Sequence, residues 1–404
     1  MVHSTQTRFF ALFFPITVLF FSIALFFSTT LIFTSTTPTT GSFYPEGTLK
    51  MPGMDVCGEP QKIAHTHDPY EYDIPKSATG TQVISLNPQD PIQNAINALQ
   101  EGGGTIILQK GTWEITQSLE LYSNITLRGM GTSSIITIPG TANFPLIINK
   151  NENMANVRIE NLTLHGSLRD DEMHYGAKHH SDSEFYSNIG RKFVFGILFR
   201  AFGNNQMRNI TITDIEVSRC AMGIHAKGMK NLTINDCNLY DNGAIETYYH
   251  NLYIRRVYGA RIFANNLRKS PTGNGLNVDV CRYINASHNN ASHNLFRGLR
   301  FENSNYTTIV DNIASYNGDV GIRVSHNNFG CLSNNTALEN GEVDIEFREN
   351  RNFTHGENNY NRQEGLIWAI HGYPTPYFIW FSLITGTICL ILISYNIRGE
   401  QNRP

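Results

Sequence analysis

Asn266, Asn289, Asn312 and Asn335 recur at a constant spacing of 23 residues, and Asn358 extends the series by one step. A fixed period of that length marks a solenoid, in which each repeat is one unit stacked on its neighbours. A second register runs alongside it. Gly275-Leu276-Asn277-Val278-Asp279, Gly298-Leu299-Arg300-Phe301-Glu302 and Gly321-Ile322-Arg323-Val324-Ser325 are one short segment written three times, and Asp344-Ile345-Glu346-Phe347-Arg348 is a fourth copy without the glycine. Apolar residues two apart alternate with polar ones, which is the period of a strand and not of a helix. Short strands separated by Asn- and Gly-rich turns, one coil per 23 residues, define a parallel β-helix. Stacked coils place equivalent residues above one another, so inward asparagines predict a ladder in which each amide donates to the next.

The segment ahead of the repeats begins with a helix signal. Asp90 is the expected cap and Pro91 the first helical residue; Ile92, Ala95, Ile96 and Leu99 form one apolar face, and Gly102-Gly103-Gly104 ends it. Such a helix plugs the open end of a solenoid. Ile96-Asn97-Ala98-Leu99, Gly102-Gly103-Gly104-Thr105-Ile106-Ile107-Leu108, Gly111-Thr112-Trp113 and Ser123-Asn124-Ile125-Thr126-Leu127-Arg128-Gly129 together resemble the opening of the pectin-lyase-like right-handed parallel β-helix superfamily, a likeness running from about Gln89 to Asn361. The resemblance implies an all-β, right-handed solenoid; because many activities share the fold, it implies little chemistry alone.

The 404-residue chain carries a net charge of −3 and only 16% charged residues, which gives no nucleic-acid signature. Two uncharged apolar runs lie outside the repeat, Phe9 to Phe33 and Tyr377 to Tyr395, each long enough to cross a bilayer. Arg8 before the first and Arg398 and Arg403 after the second predict cytoplasmic tails and an extracytoplasmic middle. The expected organisation is therefore a cytoplasmic tail (1–8), a transmembrane helix or signal anchor (9–33), a linker and unrepeated segment (34–80), the β-helix (81–361), a juxtamembrane linker (362–376), a transmembrane helix (377–395) and a second cytoplasmic tail (396–404). Cys220, Cys237, Cys281 and Cys331 read as small buried wall residues, with Cys237 and Cys331 near one corner four coils apart; Cys57 alone is free to pair elsewhere. His65-Thr66-His67-Asp68 has a metal-like pattern on a strip that reads more simply as solvated. Sequons at Asn124, Asn161, Asn209, Asn231, Asn285, Asn290, Asn305, Asn334 and Asn352 serve as glycan acceptors or as turn residues.

Extending the strand pattern backwards adds Asn251-Leu252-Tyr253-Ile254-Arg255, Gly223-Ile224-His225-Ala226-Lys227 and Gly196-Ile197-Leu198-Phe199-Arg200. Two outward columns follow: Leu198, His225, Tyr253, Asn277, Arg300, Arg323, Glu346, and Arg200, Lys227, Arg255, Asp279, Glu302, Ser325, Arg348. Residues beyond the coil length bulge out at Gly243 to His250 and at Ser167 to Phe193, the larger carrying several His, Asp and Glu and expected to overhang the Gly196 strand.

The basic early coils suit an acidic polysaccharide laid along the axis, with Arg200, Lys227, Asn277, Arg300 and Arg323 as substrate-binding residues. Proton abstraction beside a uronate carboxylate needs a base, an acid and a cation. His225 or His250, Tyr253 and Arg255 supply them, a composition similar to the polyuronate lyases and C5-epimerases of the superfamily. Asp279 and Glu302 stack as like charges, which a Ca²⁺ ion between them would relieve, or Arg300 and Arg255 nearby. The Asp-Pro-His-Asp/Glu mark of one epimerase class and the polygalacturonase signatures are absent from the repeats, so hydrolysis by an acid pair is disfavoured. A membrane-tethered lyase or epimerase and a non-catalytic surface binder both remain.

Overall fold

The computed structural model describes residues 82–173, 193–244 and 249–364. The two apolar runs, the histidine-rich strip at 65–68, most of the large loop (174–192) and the centre of the smaller bulge (245–248) lie outside the described residues. Among the described residues no helix is long and apolar enough to cross a membrane.

The strands form a parallel β-helix whose coils present three faces. Along the first, Phe195–Arg200, the start of Met222–Asn235, the start of Leu252–Phe263, Leu276–Asp279, Leu299–Glu302, Val320–Ser325 and Val343–Arg348 pair in parallel, in that order. Met222–Asn235 and Leu252–Phe263 continue round a corner into a second face, which runs on through Arg282–Ser287, Asn305–Val310, Asn328–Ser333 and Arg351–His355. The third face is narrow: Asn238–Tyr240 pairs Asn266–Arg268, and single bridges link Asn266, Asn290, Ile313 and Thr336.

Alternation along each strand builds the core. Ile224, Leu252, Leu276, Leu299, Ile322 and Ile345 are fully buried one above another, each coil covering the apolar surface that the last would expose. Each coil leaves the first face through one left-handed residue, in turn Arg256, Val280, Asn303, His326 and Glu349, with φ between 51° and 56°. Val280 is the costly member, because a branched Cβ crowds the backbone there; the coils stacked on either side fix the corner regardless.

Polar residues occupy three inward corner columns. In the first, Asn265, Asn289, Asn312, Asn335 and Asn358 each pass a side-chain amide hydrogen to the next carbonyl at 2.9 Å. This corrects the expected start of the ladder, because Asn266 lies one place further on, in the third face; one extra residue in this coil makes the step from Asn265 to Asn289 24. The second column runs Asn242, Ser270, Asn294, Asn317 and Asn340, and the third Ser304, Asn327 and Asn350. The recurring glycine makes room for the second column: a Cβ on Gly298 would lie 2.7 Å from Asn317 Nδ2.

Each column begins on a buried free cysteine whose backbone N–H donates to the first polar side chain, Cys220 to Asn242, Cys237 to Asn265 and Cys281 to Ser304. Their thiols donate to the carbonyl two residues back, a bond that Asn312 also makes. Cys331 departs from expectation. It pairs with Thr308 in the second face, not at the corner of Cys237, and is only half-buried. It is disulfide-bonded to a cysteine outside the described residues, since the other three described cysteines are free.

At the other end, Asn340 passes its amide to the Asp344 carboxylate, which also accepts the backbone N–H groups of Asn340, Asn361 and Arg362. The helix Ile92–Ala98 buries Ile92, Ala95 and Ile96 as its pattern requires, but Pro91 is its cap and makes no side-chain bond. Asp90 instead accepts from Asn87 N–H in the preceding turn. Gln93 pairs both its amide atoms with Glu120 N–H and C=O, so the helix covers part of the edge of Leu119–Leu121. Six of the nine sequon asparagines, Asn124, Asn161, Asn209, Asn231, Asn334 and Asn352, hold left-handed turn positions.

Candidate functional site on the first face

The register lays His225 beside Tyr253, Tyr253 beside Asn277 and Asn277 beside Arg300; one column over, Lys227, Arg255, Asp279 and Glu302 line up in the same way. The two columns are outward with respect to the solenoid, yet several members are hidden from water: His225, Asn277 and Asp279 are buried, and Tyr253 and Arg255 half-buried.

Tyr253 is the centre of the cluster. Its ring lies 4.9 Å from His225 and 5.6 Å from His250, and Arg255 is the next outward residue of its own strand. Burial raises the phenol's pKa and Asp279 raises it further, while Arg255 and Arg300 pull it back only in part. Phe195, packed against both His225 and Tyr249, closes one side. Burial pushes His225 down to about 3, with Arg200, Lys227 and Arg255 adding to the shift. It does the same to His250, also to about 3, helped by Arg300, His225 and Arg297. Both imidazoles are therefore neutral at physiological pH and weakly basic.

The cations fall into two groups. Arg200 Nη2 lies 3.3 Å from His225 Nδ1, and the Lys227 ammonium sits 4.5 Å above the ring of exposed Phe202. Arg255 Nε is 3.0 Å from Asp279 Oδ2 but out of line for a hydrogen bond, as is Arg323 Nε, 3.2 Å from Glu346 Oε2. These pairs neutralise charge while leaving donor directions unspent. Arg300 contacts Glu302 directly and donates to Asn277 Oδ1 at 2.9 Å.

These pairings favour the arginine alternative over the expected Ca²⁺ site. Asp279 and Glu302 are each met by an arginine, which removes the like-charge cost that a cation was invoked to relieve; among the described residues no three His, Cys, Asp or Glu converge as metal ligands. His250 is also displaced from the exposed position expected of a base: it is buried, with Nδ1 taken by Asn274 N–H at 3.0 Å and Nε2 facing Asn277 at 3.0 Å. Sequence reading missed Phe195, Tyr249 and Arg297. Phe195 and Arg297 each stand just before a beat glycine, Gly196 and Gly298, and that position was the available signal.

Comparison with known proteins agrees with the fold. Residues 181–368 match the family described as "NosD: Periplasmic copper-binding protein (NosD)". No curated protein matches the chain. Among solved structures, the DFA-IIIase of Arthrobacter chlorophenolicus A6 in complex with GF2 superposes with a TM-score of 0.50 at 12% identity, covering 71% of this chain and 89% of that one. The A-module of the mannuronan C-5 epimerase AlgE4 of Azotobacter vinelandii gives a TM-score of 0.44 at 16% identity over 70% of this chain and 94% of that one. The family match and the first superposition support the pectin-lyase-like β-helix fold. Among the described residues no three His, Cys, Asp or Glu converge as ligands for the copper of the family description, and the Cys237 and Cys281 thiols are pushed up to about 12 by burial.

Proposed function

We propose that the first face binds acidic polysaccharide along the solenoid axis and acts on its uronate residues by removing the C5 proton, leading to β-elimination or C5-epimerisation. The observation that carries this reading is Tyr253, set between two neutral imidazoles, with Arg255 two residues on in its strand and Arg300 two coils on in its own column. Arg255 would neutralise the carboxylate as C5 loses its proton, and the C5 proton would pass to the Tyr253 oxygen once ionised. The electron pair left at C5 then either expels the O4 substituent, which takes up a proton, or recaptures a proton on the opposite face. Lys227, Arg200 and Arg323 extend the cationic track on either side.

The low basicity of both histidines favours a second reading, a face that holds acidic glycan without turning it over. Incubating the full chain with a panel of uronans, and following unsaturated ends, C5 configuration and binding, separates them. Product formation supports catalysis; binding alone supports the second reading; no binding to any uronan at low salt overturns both.

For location, the two apolar runs are proposed as membrane anchors holding the β-helix outside the cytoplasm. The Cys331 disulfide, a bond of oxidising compartments, and the periplasmic description of the matching family support that placement.

A further inference from the structure

The buried imidazoles on this face are held as proton donors. Arginine can only donate, so Arg200 Nη2 beside His225 Nδ1 makes that nitrogen the acceptor and leaves the ring proton on Nε2. Nε2 is shielded from water and hydrogen-bonds nothing. His250 repeats the arrangement. The backbone N–H of Asn274 points at its Nδ1 and cannot be turned round, so this ring proton also sits on Nε2.

Facing that N–H at 3.0 Å is the Asn277 amide nitrogen, whose oxygen is taken by Arg300 Nη1 at 2.9 Å. Donor therefore meets donor. Turning the amide over satisfies His250 but brings the nitrogen against Arg300, so in either orientation His250, Asn277 and Arg300 are one acceptor short. His225 lacks another. Unmet buried donors of this kind are costly unless a partner arrives.

We propose that carboxylates of an acidic polysaccharide supply these acceptors: His225 donates to one through Nε2–H, and another takes over Arg300, releasing Asn277 to turn its oxygen toward His250. His225 is then a substrate-binding donor, and His250 and Asn277 are positioning residues. His225 and Arg300 stand three coils apart in one column, about 14 Å at strand spacing, so a single carboxylate cannot serve both. A polyanionic chain along the axis can. The proposal rests on the reading of this face as an acidic-polysaccharide site.

Histidine-selective ¹⁵N NMR on the full chain tests the donor assignment without any substrate. Both residues, identified by His225→Gln and His250→Gln, should show the Nε2–H form unchanged from pH 5 to pH 8. A proton on Nδ1 of His225, or its titration in that range, would overturn the assignment. Binding of oligogalacturonate and oligomannuronate tests the ligand. His225→Gln, which keeps an N–H near Nε2, should bind within a few-fold of the parent, whereas His225→Ala should weaken binding tenfold or more. Equal loss in both variants would sink the donor role.

Asn277→Asp places a permanent acceptor between Arg300 and His250, and should raise the melting temperature while weakening binding of both oligouronates tenfold or more. A lower melting temperature would show that no acceptor was missing. A parent that has both Nε2–H protons but binds neither oligouronate would overturn the carboxylate assignment together with the functional reading. Binding by a parent whose His225 carries its proton on Nδ1 would overturn the donor assignment alone.

Discussion

Replacing Asn312 with leucine tests the ladder at its middle. Asn312 is fully buried and its side chain makes five hydrogen bonds: it accepts from Asn289 N–H and Nδ2, and donates to Asn335 Oδ1, Ala286 O and Val310 O. Leucine would orphan two donors on Asn289, while Asn335 Oδ1 keeps the backbone N–H of residue 312. Two buried, unsatisfied donors cost about 2–6 kcal/mol. Burying the leucine returns about 1.5–3 kcal/mol. The midpoints of those two ranges differ by about 2 kcal/mol, which is the expected net loss. Asn266→Leu is the matched control: that residue lies one position along, in the outer column beside Asn238, and should cost less than about 1 kcal/mol. Urea denaturation of the full chain, with the slope of the transition held constant, measures both. Equal midpoints for Asn312→Leu and the parent would refute the inward ladder, and equal losses at the two positions would refute the register.

Tyr253→Phe should leave the unfolding free energy within about 1 kcal/mol of the parent, as outward sheet residues do, whereas Arg255→Ala unpairs the buried Asp279 carboxylate and should cost about 1–3 kcal/mol, while in both turnover on a responsive uronan falls by orders of magnitude; retained turnover in both would move the reaction elsewhere. Because Tyr253 is shifted above its ordinary 10.0, an ionised Tyr253 base predicts kcat/KM still climbing with pH at 10, whereas a free histidine base would level off above about 6.5. At Asp344, burial opposes ionisation but the Asn340 amide and three backbone N–H groups outweigh it, so its pKa lies below 3.8. Its contribution is therefore full above 3.8 and lost as the pH falls through the lower folded value; Asp344→Asn should cost about 1–3 kcal/mol at neutral pH and flatten the acid limb of a pH–stability curve. Protease added to intact cells should remove the repeat region, and its full protection would overturn the proposed topology.

The strand register was legible because outward and inward residues alternate within each first-face strand from Leu276–Asp279 to Val343–Arg348, and stacking such strands leaves little choice of partner. The corners were less so. The extra residue between Asn265 and Asn289 leaves no mark in composition, so the constant spacing pointed at Asn266 instead. The second and third columns hide for another reason: their early members are Ser270 and Ser304, which break the asparagine signal while preserving the bond. Sequence placed Asp279 and Glu302 correctly in a column and offered Arg255 and Arg300 as their partners, but a column alone could not choose between those arginines and a cation. Nor can it say which imidazole nitrogen faces a donor. That is decided by the backbone of Asn274 and by Arg200, each contributed by a neighbouring coil.

The amide-to-amide bonds of the first column all point one way, toward the carboxyl-terminal coil, and the second column ends on the Asp344 carboxylate. Growth by gene duplication is thereby constrained. Copying the whole coil from Asn289 to Asp311 would add a rung to the first two columns and another Ser304-type step to the third, and would lengthen the charged track by one strand. Such a lineage can change the length of its charged track only in whole turns, and only upstream of the residue that seals the end.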